Sequence, residues 1–425
     1  MINRRLPTRA LVVPALVVGA LVAQVGMASP GQAAAPRYAS TTGSGSACTS
    51  TAPCDIVTAV NQAPSSTEVI IAPGTYNMGA TGLGNSQSNV NVHGTPGQAR
   101  PVINSDASPA LGMLGPGARV ADLTINQNGG SFGLQVFASG ILVERLEVHS
   151  SAVDACAIGY SGLVRDLLCV SSAVGGAALE DSWGGGTGVL TLRNVTAIAT
   201  GAGSYGILAN STSNDTNLDI NGRNVIASGV RADIGSGETG INSESDVVLS
   251  YSNYDKMEEL GGGNVTNVGS VSTNQTAPPI FLDATLYHQA SNSPTVDKGS
   301  TDGTVGSADL DGDPRRLGAA TDIGADEYDT VAPDVAFVRV PKQKSRRHKV
   351  TFMFVANEAV TFTCKVDRKK AKPCSSPFKV KMKRYGKHRI TVTARDLVGN
   401  VDPTPATYRW KLKHKHKKKH HHNHH

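Results

Sequence analysis

The chain has 425 residues, of which 39% are hydrophobic, 17% charged and only 5% aromatic, and it carries 46 glycines. Such a composition describes a core of small side chains with many turns, and it excludes a packed helical bundle. The formal net charge of +6 hides two opposite halves: up to Asp329 there are 15 Lys and Arg against 29 Asp and Glu, and from Thr330 onward 25 against 5.

Residues 1–35 read as an export signal. Arg4, Arg5 and Arg9 precede an apolar run from Ala10 to Val25, and Gln32-Ala33-Ala34-Ala35 supplies small residues for cleavage. Pro14 and Gly19 interrupt a run that is already short for a membrane span, so a cleaved signal is favoured over an anchor. Its removal leaves the acidic part with 12 basic residues against 29 acidic ones, a net of −17.

An exported chain with six cysteines is expected to use them as bridges. Cys48 with Cys54, and Cys364 with Cys374, read as local staples, whereas Cys156 and Cys169 are open between a third bridge and two buried thiols. No C-x-x-C occurs and no cysteine has a histidine at ligand spacing, which argues against structural zinc.

From Val120 a short phrase recurs: Val120–Ile125, Val143–Val148, Val164–Cys169, Leu192–Ala197 and Gly222–Ala227, at spacings of 23, 21, 28 and 30. Each has a hydrophobe, two polar residues and an alternating apolar pair, the pattern of a strand end, a tight turn and a half-buried strand. A second small-apolar cluster follows about eleven residues after the centre of each phrase, as at Gly133-Leu134 and Ala157-Ile158. A period of this length without helical spacing predicts a solenoid, a parallel β-helix in which stacked coils bury one another. The expected inward columns are Leu123, Leu146, Leu167, Val195, Val225 and Ile125, Val148, Cys169, Ala197, Ala227. A leucine-rich repeat would need an asparagine-bearing consensus that is missing.

Other residues carry a resemblance. Tyr38 through Cys48-Thr-Ser-Thr-Ala-Pro-Cys54, then Val57–Asn61 and Val69-Ile-Ile-Ala-Pro-Gly-Thr-Tyr76, resemble the N-terminal cap of secreted right-handed parallel β-helix proteins of the pectate-lyase-like superfamily. Asn292–Gly299, Asp309-Leu-Asp-Gly-Asp-Pro-Arg315 and Asp322-Ile-Gly-Ala-Asp-Glu-Tyr328 resemble the closing coils of the bacterial surface β-helices called choice-of-anchor Q proteins. The resemblance implies a right-handed coil over 36–329 and export, and leaves chemistry open, because lyases, hydrolases and adhesins share the superfamily.

After Thr330 the composition changes to short alternating segments, including Val350–Val355, Val360–Cys364, Arg389–Ala394 and Thr407–Trp410, which predict a β-sandwich over 330–410. The module resembles bacterial Ig-like domains in its hairpin cysteines, Gly386-Lys-His388 and the turn Ala394-Arg-Asp-Leu-Val-Gly-Asn400. Residues 411–425 alternate Lys and His and read as a disordered native tail, the interruption at Asn423 arguing against a purification tag. The expected fold is thus all-β, a right-handed parallel β-helix followed by an Ig-like sandwich.

No catalytic set can be read. Lyases of this fold need a cation held by acids and a basic proton acceptor, and the W-I-D-H phrase of pectate lyases and the N-T-D, D-D, G-H-G and R-I-K pattern of polygalacturonases are absent. The remaining acid pairs are Glu180 and Asp181, beside Trp183 as a sugar-stacking surface, and Glu144 with Glu147 and His149, with carboxylates that solvate turns as the favoured reading. Arg165, Arg193 and Arg223 fall at one turn position of successive coils and are candidates to read an anionic polymer, with Glu144 and Asp166 as competing partners. Asn194 and Asn224, at the next position, read as a structural ladder. Asp309, Asp311 and Asp313 copy the first ligand positions of a Ca2+ loop, although Gly312 is misplaced and Ala320 stands where glutamate belongs, which favours a turn with Arg315 or Arg316 answering the acids over a Ca2+ site. The expectation is an extracellular or cell-surface protein that binds polysaccharide or anionic envelope polymer without turnover. The alternatives are a polysaccharide lyase or glycoside hydrolase, or a surface spacer.

Overall fold

The computed structural model describes residues 34–181, 187–211, 214, 217–238, 243–260, 268–269, 273–358, 360–396 and 399–414. The export signal of residues 1–35 lies almost wholly outside these, as do Trp183 and the tail beyond 414.

Eighteen strands pair in parallel from Arg37–Ala39 to Val268–Gly269, and they stack in three columns. In one, Glu68–Ile71 pairs with Asn91–Gly94, then Arg119–Ala121, Leu142–Glu144, Leu163–Arg165 and Thr191–Arg193. The predicted inward residues form the predicted ladder: Leu123 is in register with Leu146, Leu167, Val195 and Val225, all of them fully buried. Ile125, Val148, Cys169, Ala197 and Ala227 follow alongside. A parallel β-helix is the result, each coil supplying the apolar surface on which the next one packs. At the N-terminal end the helix Ile56–Asn61 buries Ile56, Ala59 and Val60 in the same core, with Asp55 capping it by accepting from the Thr58 amide. This covers an edge that would otherwise present unpaired backbone.

The tight turns between columns need a left-handed residue, which Asp and Asn tolerate best. Asp122, Arg145, Asp166, Asn194 and Asn224 all take it, with φ between 51° and 57°. Their side chains are linked along the stack: Arg145 donates to Asp122, Asn194 to Asp166 (2.9 Å) and Asn224 to Asn194 (2.8 Å). Asn194 and Asn224 are fully buried, so the asparagine ladder is structural, as its position suggests.

The stretch expected to form closing coils does something else. Between Val268–Gly269 and Val335–Arg339 the described residues form no extended strand, only isolated bridges. Instead residues 297–327 run back along the outside of the turn columns. Asn224 exchanges two hydrogen bonds with Ser300 at 2.8 Å, Asn194 donates to the Val305 carbonyl at 3.0 Å, and Ala325 N–H donates to Thr196. Ile323 packs on Ile198 and Ile226, and Leu310 on Leu168. Its many Asp, Gly and Thr residues suit turns rather than a stacked strand, and their side chains satisfy the backbone groups that a coil would have paired.

Beyond Asp329 two sheets share one core, antiparallel except where Lys344–Ser345 pairs in parallel with Lys411 and Leu412. Val335–Arg339, Lys349–Ala356 and Phe378–Lys381 form one sheet; Val360–Val366, Lys372–Cys374, Gly386–Asp396 and Ala406–Leu412 are the main strands of the other. Phe352 and Phe354 from the first meet Ile390, Val392 and Trp410 from the second, and the Phe352 and Trp410 rings lie 5.2 Å apart edge to face.

All six cysteines are paired, Cys48–Cys54 and Cys364–Cys374 as expected and Cys156–Cys169 resolving the open case. The last pair joins two inward-facing positions of one coil. Replacing both Cys156 and Cys169 with alanine is expected to cost about 3 kcal/mol, the chain-entropy value for a loop of this size, read as a lower denaturation midpoint; an unchanged midpoint would show the bridge to be dispensable.

Candidate functional site

Outward positions of one column line a shallow groove of about 740 Å3. Asn77, Asn104, Asn126 and His149 follow one another in register, one per coil. Asn104 donates its amide to Asn77 Oδ1 at 2.8 Å and Asn126 donates to Asn104 Oδ1 at 2.9 Å. Asp106, Asn128, Ser151 and Ser172 also line it. Burial lowers the pKa of His149, against a smaller opposing effect of Glu147, so the ring is neutral at pH 7 and offers both a donor and an acceptor. A row of amides and hydroxyls repeating at the strand spacing of about 4.8 Å matches a hydroxyl-rich chain laid along the stack. Of this row only His149 stands out in the sequence as a candidate. The signal was positional, since Asn104, Asn126 and His149 each follow an inward Ile103, Ile125 or Val148.

The two acids proposed to work with His149 are already committed. Glu144 is buried and bonded by Arg119 and Arg165, with Arg145 at 3.4 Å; burial opposes its ionisation, but the arginines hold its pKa below the usual range. Glu147 is paired with Arg100 and accepts from Thr124 Oγ1 at 3.0 Å.

Arg165, Arg193 and Arg223 do stack in one column, in register across their coils. The return segment lies over them. Arg165 donates to Glu144 and to the Thr304 carbonyl, Arg193 to Asp302 at 2.8 Å, and Arg223 to Ser300 at 3.0 Å while its guanidinium sits 5.3 Å from the Tyr251 ring centre. Arg193 is 9% exposed. These guanidiniums bind the protein's own chain, an outcome favoured by proximity and by the carboxylates beside them.

Glu180 and Asp181 end the strand Ala177–Asp181, and as consecutive strand residues they project to opposite faces. That corrects their reading as a pair able to act on one bond. Glu180 hydrogen-bonds Asp154. Asp181 is fully buried with neither oxygen partnered, and burial followed by the charge of Asp219 pushes its pKa up to about 8. Their expected neighbour, Trp183, lies outside the described residues.

Asp309, Asp311 and Asp313 do not converge on one point. Asp309 Oδ1 accepts from the amides of Asp311, Gly312 and Asp313, and its Oδ2 from the amide of Glu327. It builds the turn rather than facing a ligand. Asp311 accepts from His288 Nε2 at 2.9 Å and approaches Arg100 at 3.6 Å, while His288 Nδ1 donates to Asp283 at 2.9 Å. Burial disfavours charge on His288, but Asp311, Asp326 and Asp283 outweigh it and raise its pKa to about 10. Only Asp313 faces a third cluster, with Asp329 and Glu358, one carboxylate oxygen of each lying within 4.8 Å of the others. Burial, then Asp313, Asp329 and Asp396, pushes the pKa of Glu358 up to about 7.

In the two-sheet unit beyond Asp329, positive side chains stand opposite one another. Arg389 is in register with Arg409, Lys387 with Lys411 and Lys349 with Lys381, all six exposed.

No family model matches the chain, and no curated protein matches it. Among solved structures it is similar to the crystal structure of pectate lyase Pel9A, at a TM-score of 0.37 and 14% identity, covering 70% of this chain and 97% of that one. The class rests on the strand register given above: a parallel β-helix with a two-sheet β unit after it.

Proposed function

We propose that the chain is an exported, extracellular or cell-surface protein that binds polysaccharide or anionic envelope polymer without turnover. In this reading residues 1–35 are a cleaved signal, the β-helix is displayed, and an Ig-like unit with its Lys/His tail retains it. What carries the reading is the cross-strand placement of like charges, Arg389 opposite Arg409 and Lys387 opposite Lys411. Such pairs destabilise a sheet, and a polyanion laid across them relieves the repulsion. The excess of 25 basic over 5 acidic residues after Asp329 supplies the long-range attraction.

Exposed charge attraction is screened over about 8–10 Å at physiological salt. Binding of the full-length chain to an immobilised polyanionic polysaccharide is therefore expected to fall at least tenfold between about 0.05 and 0.5 M salt, and as far in the Arg389→Glu/Arg409→Glu variant at low salt. Salt-independent binding, or a variant that binds like the parent, overturns the retention role.

The polar groove favours a second contact, with an uncharged or weakly charged glycan along Asn77, Asn104, Asn126 and His149. Asn126→Trp, which fills the groove midway, is expected to abolish that binding on a glycan array while leaving polyanion binding intact. Reducing-sugar and unsaturated-uronate assays on the bound glycans separate a binder from a lyase or hydrolase, and a chain that binds none of them is the spacer.

A further inference from the structure

Two acid clusters meet near the end of the return segment, and they differ in one respect. In the cluster of His288, Asp311 and Asp326 a cation is already present, because both ring nitrogens of His288 donate to carboxylates and Arg100 stands beside Asp311. The cluster of Asp313, Asp329 and Glu358 has none: among the described residues no Lys, Arg or His forms an ion pair with any of the three, nor with Asp396, whose carboxyl lies against Asp329.

Each of the four comes from a different turn. Asp313 ends the Asp309 turn and Asp329 closes the return segment; Glu358 sits between Lys349–Ala356 and Val360–Val366, and Asp396 ends Gly386–Asp396. Local hydrogen bonds aim them. Asp329 Oδ1 accepts from the Val331 amide, and Asp396 Oδ1 accepts from the amides of Gly399 and Asn400 at 2.6 and 2.7 Å. Asn400 in turn donates to the Asp329 carbonyl at 3.1 Å. The Asp329 carboxyl is also hydrogen-bonded by the side chains of Asn400 and Asp396, and the oxygens left over belong to Asp396 and Glu358. Asp396 is 6% exposed and its Oδ2 is buried without a partner, as is Glu358 Oε1. A buried carboxylate oxygen facing only other carboxylates is costly unless a cation joins it.

We propose that Asp313, Asp329, Glu358 and Asp396 form a calcium site that fastens the two-sheet unit to the return segment of the β-helix. The donor set is all oxygen, the preference of a hard cation, with no imidazole or thiolate to select zinc or copper. Calcium takes oxygens at about 2.3–2.6 Å, so ligands on opposite sides of one ion are about 4.6–5.2 Å apart, and the 4.8 Å spread of the three oxygens fits one ion with water completing the shell. The ligands differ from the Asp309, Asp311, Asp313 triplet of the sequence, keeping only its last member, and the site does not depend on what the groove or the cationic strands bind.

The test uses the full-length chain at pH 7.5, stripped with chelator and titrated with Ca2+ alone. Isothermal titration is expected to show a bound ion, and millimolar Ca2+ to raise the melting temperature by several degrees above the chelated state. Glu358→Gln and Asp396→Asn keep the shape and remove one charge each. They are expected to weaken Ca2+ binding at least tenfold while melting no lower than the parent in chelator, since each relieves repulsion. Absence of both heat and thermal shift in the parent overturns the site. So does a shift that survives both substitutions, which would place the ion elsewhere.

Discussion

Replacing Leu146 with alanine is expected to destabilise the β-helix by about 2–5 kcal/mol, because the lost apolar transfer is joined by a cavity that stacked coils cannot close. Leu146 is fully buried and held in register between Leu123 and Leu167. Urea unfolding gives the measurement. Leu142, four residues earlier and partly exposed, is the control, and alanine there is expected to change the midpoint little. A double replacement at Leu123 and Leu146 should depart from additivity, since the two share one cavity. Equal small effects at Leu142 and Leu146 would show that the column is not the core.

Asp181→Asn is expected to stabilise the protein at pH 7 and not at pH 4. The folded carboxyl titrates at about 8, raised by burial and then by Asp219, against an ordinary value of 3.8. Below the ordinary value both states hold the proton and nothing is gained or lost. Between about 4 and 8 the folded state keeps a proton that the unfolded chain has released, so stability declines as pH rises. By pH 7 the decline is on the order of 4 kcal/mol, at 1.36 kcal/mol for each pKa unit. Asparagine has the same shape and no charge to desolvate, so thermal melts of the variant should lose this slope and exceed the parent increasingly toward neutral pH. An identical slope in both proteins would mean that Asp181 is ionised and partnered in the fold.

The coils were legible because a solenoid repeats its physics. Each of Leu123, Leu146, Leu167, Val195 and Val225 meets the same environment, so one phrase announces all of them, and the residues two places on follow by strand alternation. The left-handed turn was legible at Asn194 and Asn224 for the same reason, and Arg145, with φ of 51°, shows the turn imposing its conformation on a residue that does not favour it. The return segment was not legible. Its contacts join residues 76 or more positions apart in sequence, and its Asp, Gly and Thr residues have no period to betray a partner. That omission bears on the site: the stacked arginines are held by the return segment as well as by Glu144, and the aspartate triplet is divided among a turn, an imidazolium and an acid cluster. The groove was missed for the opposite reason, since Asn104 and Asn126 are ordinary surface residues individually and gain meaning only when stacked.

A stacked array ordinarily opens from its ends, because each coil answers only to its neighbours. The return segment alters that, touching Asn224 through Ser300, Arg193 through Asp302, Arg165 through Thr304 and Arg100 through Asp311. It works as a seam sewn across the coils after they are wound, so that peeling any one of them pulls on the rest, and local fraying becomes an all-or-none event. The order of assembly follows from the order of the chain. A polypeptide emerging N-terminus first has wound its coils before the seam exists, and contacts of this sequence separation form slowly. Until they do, each coil is held only by its neighbours, which makes the interval before closure the period in which the stack frays most readily.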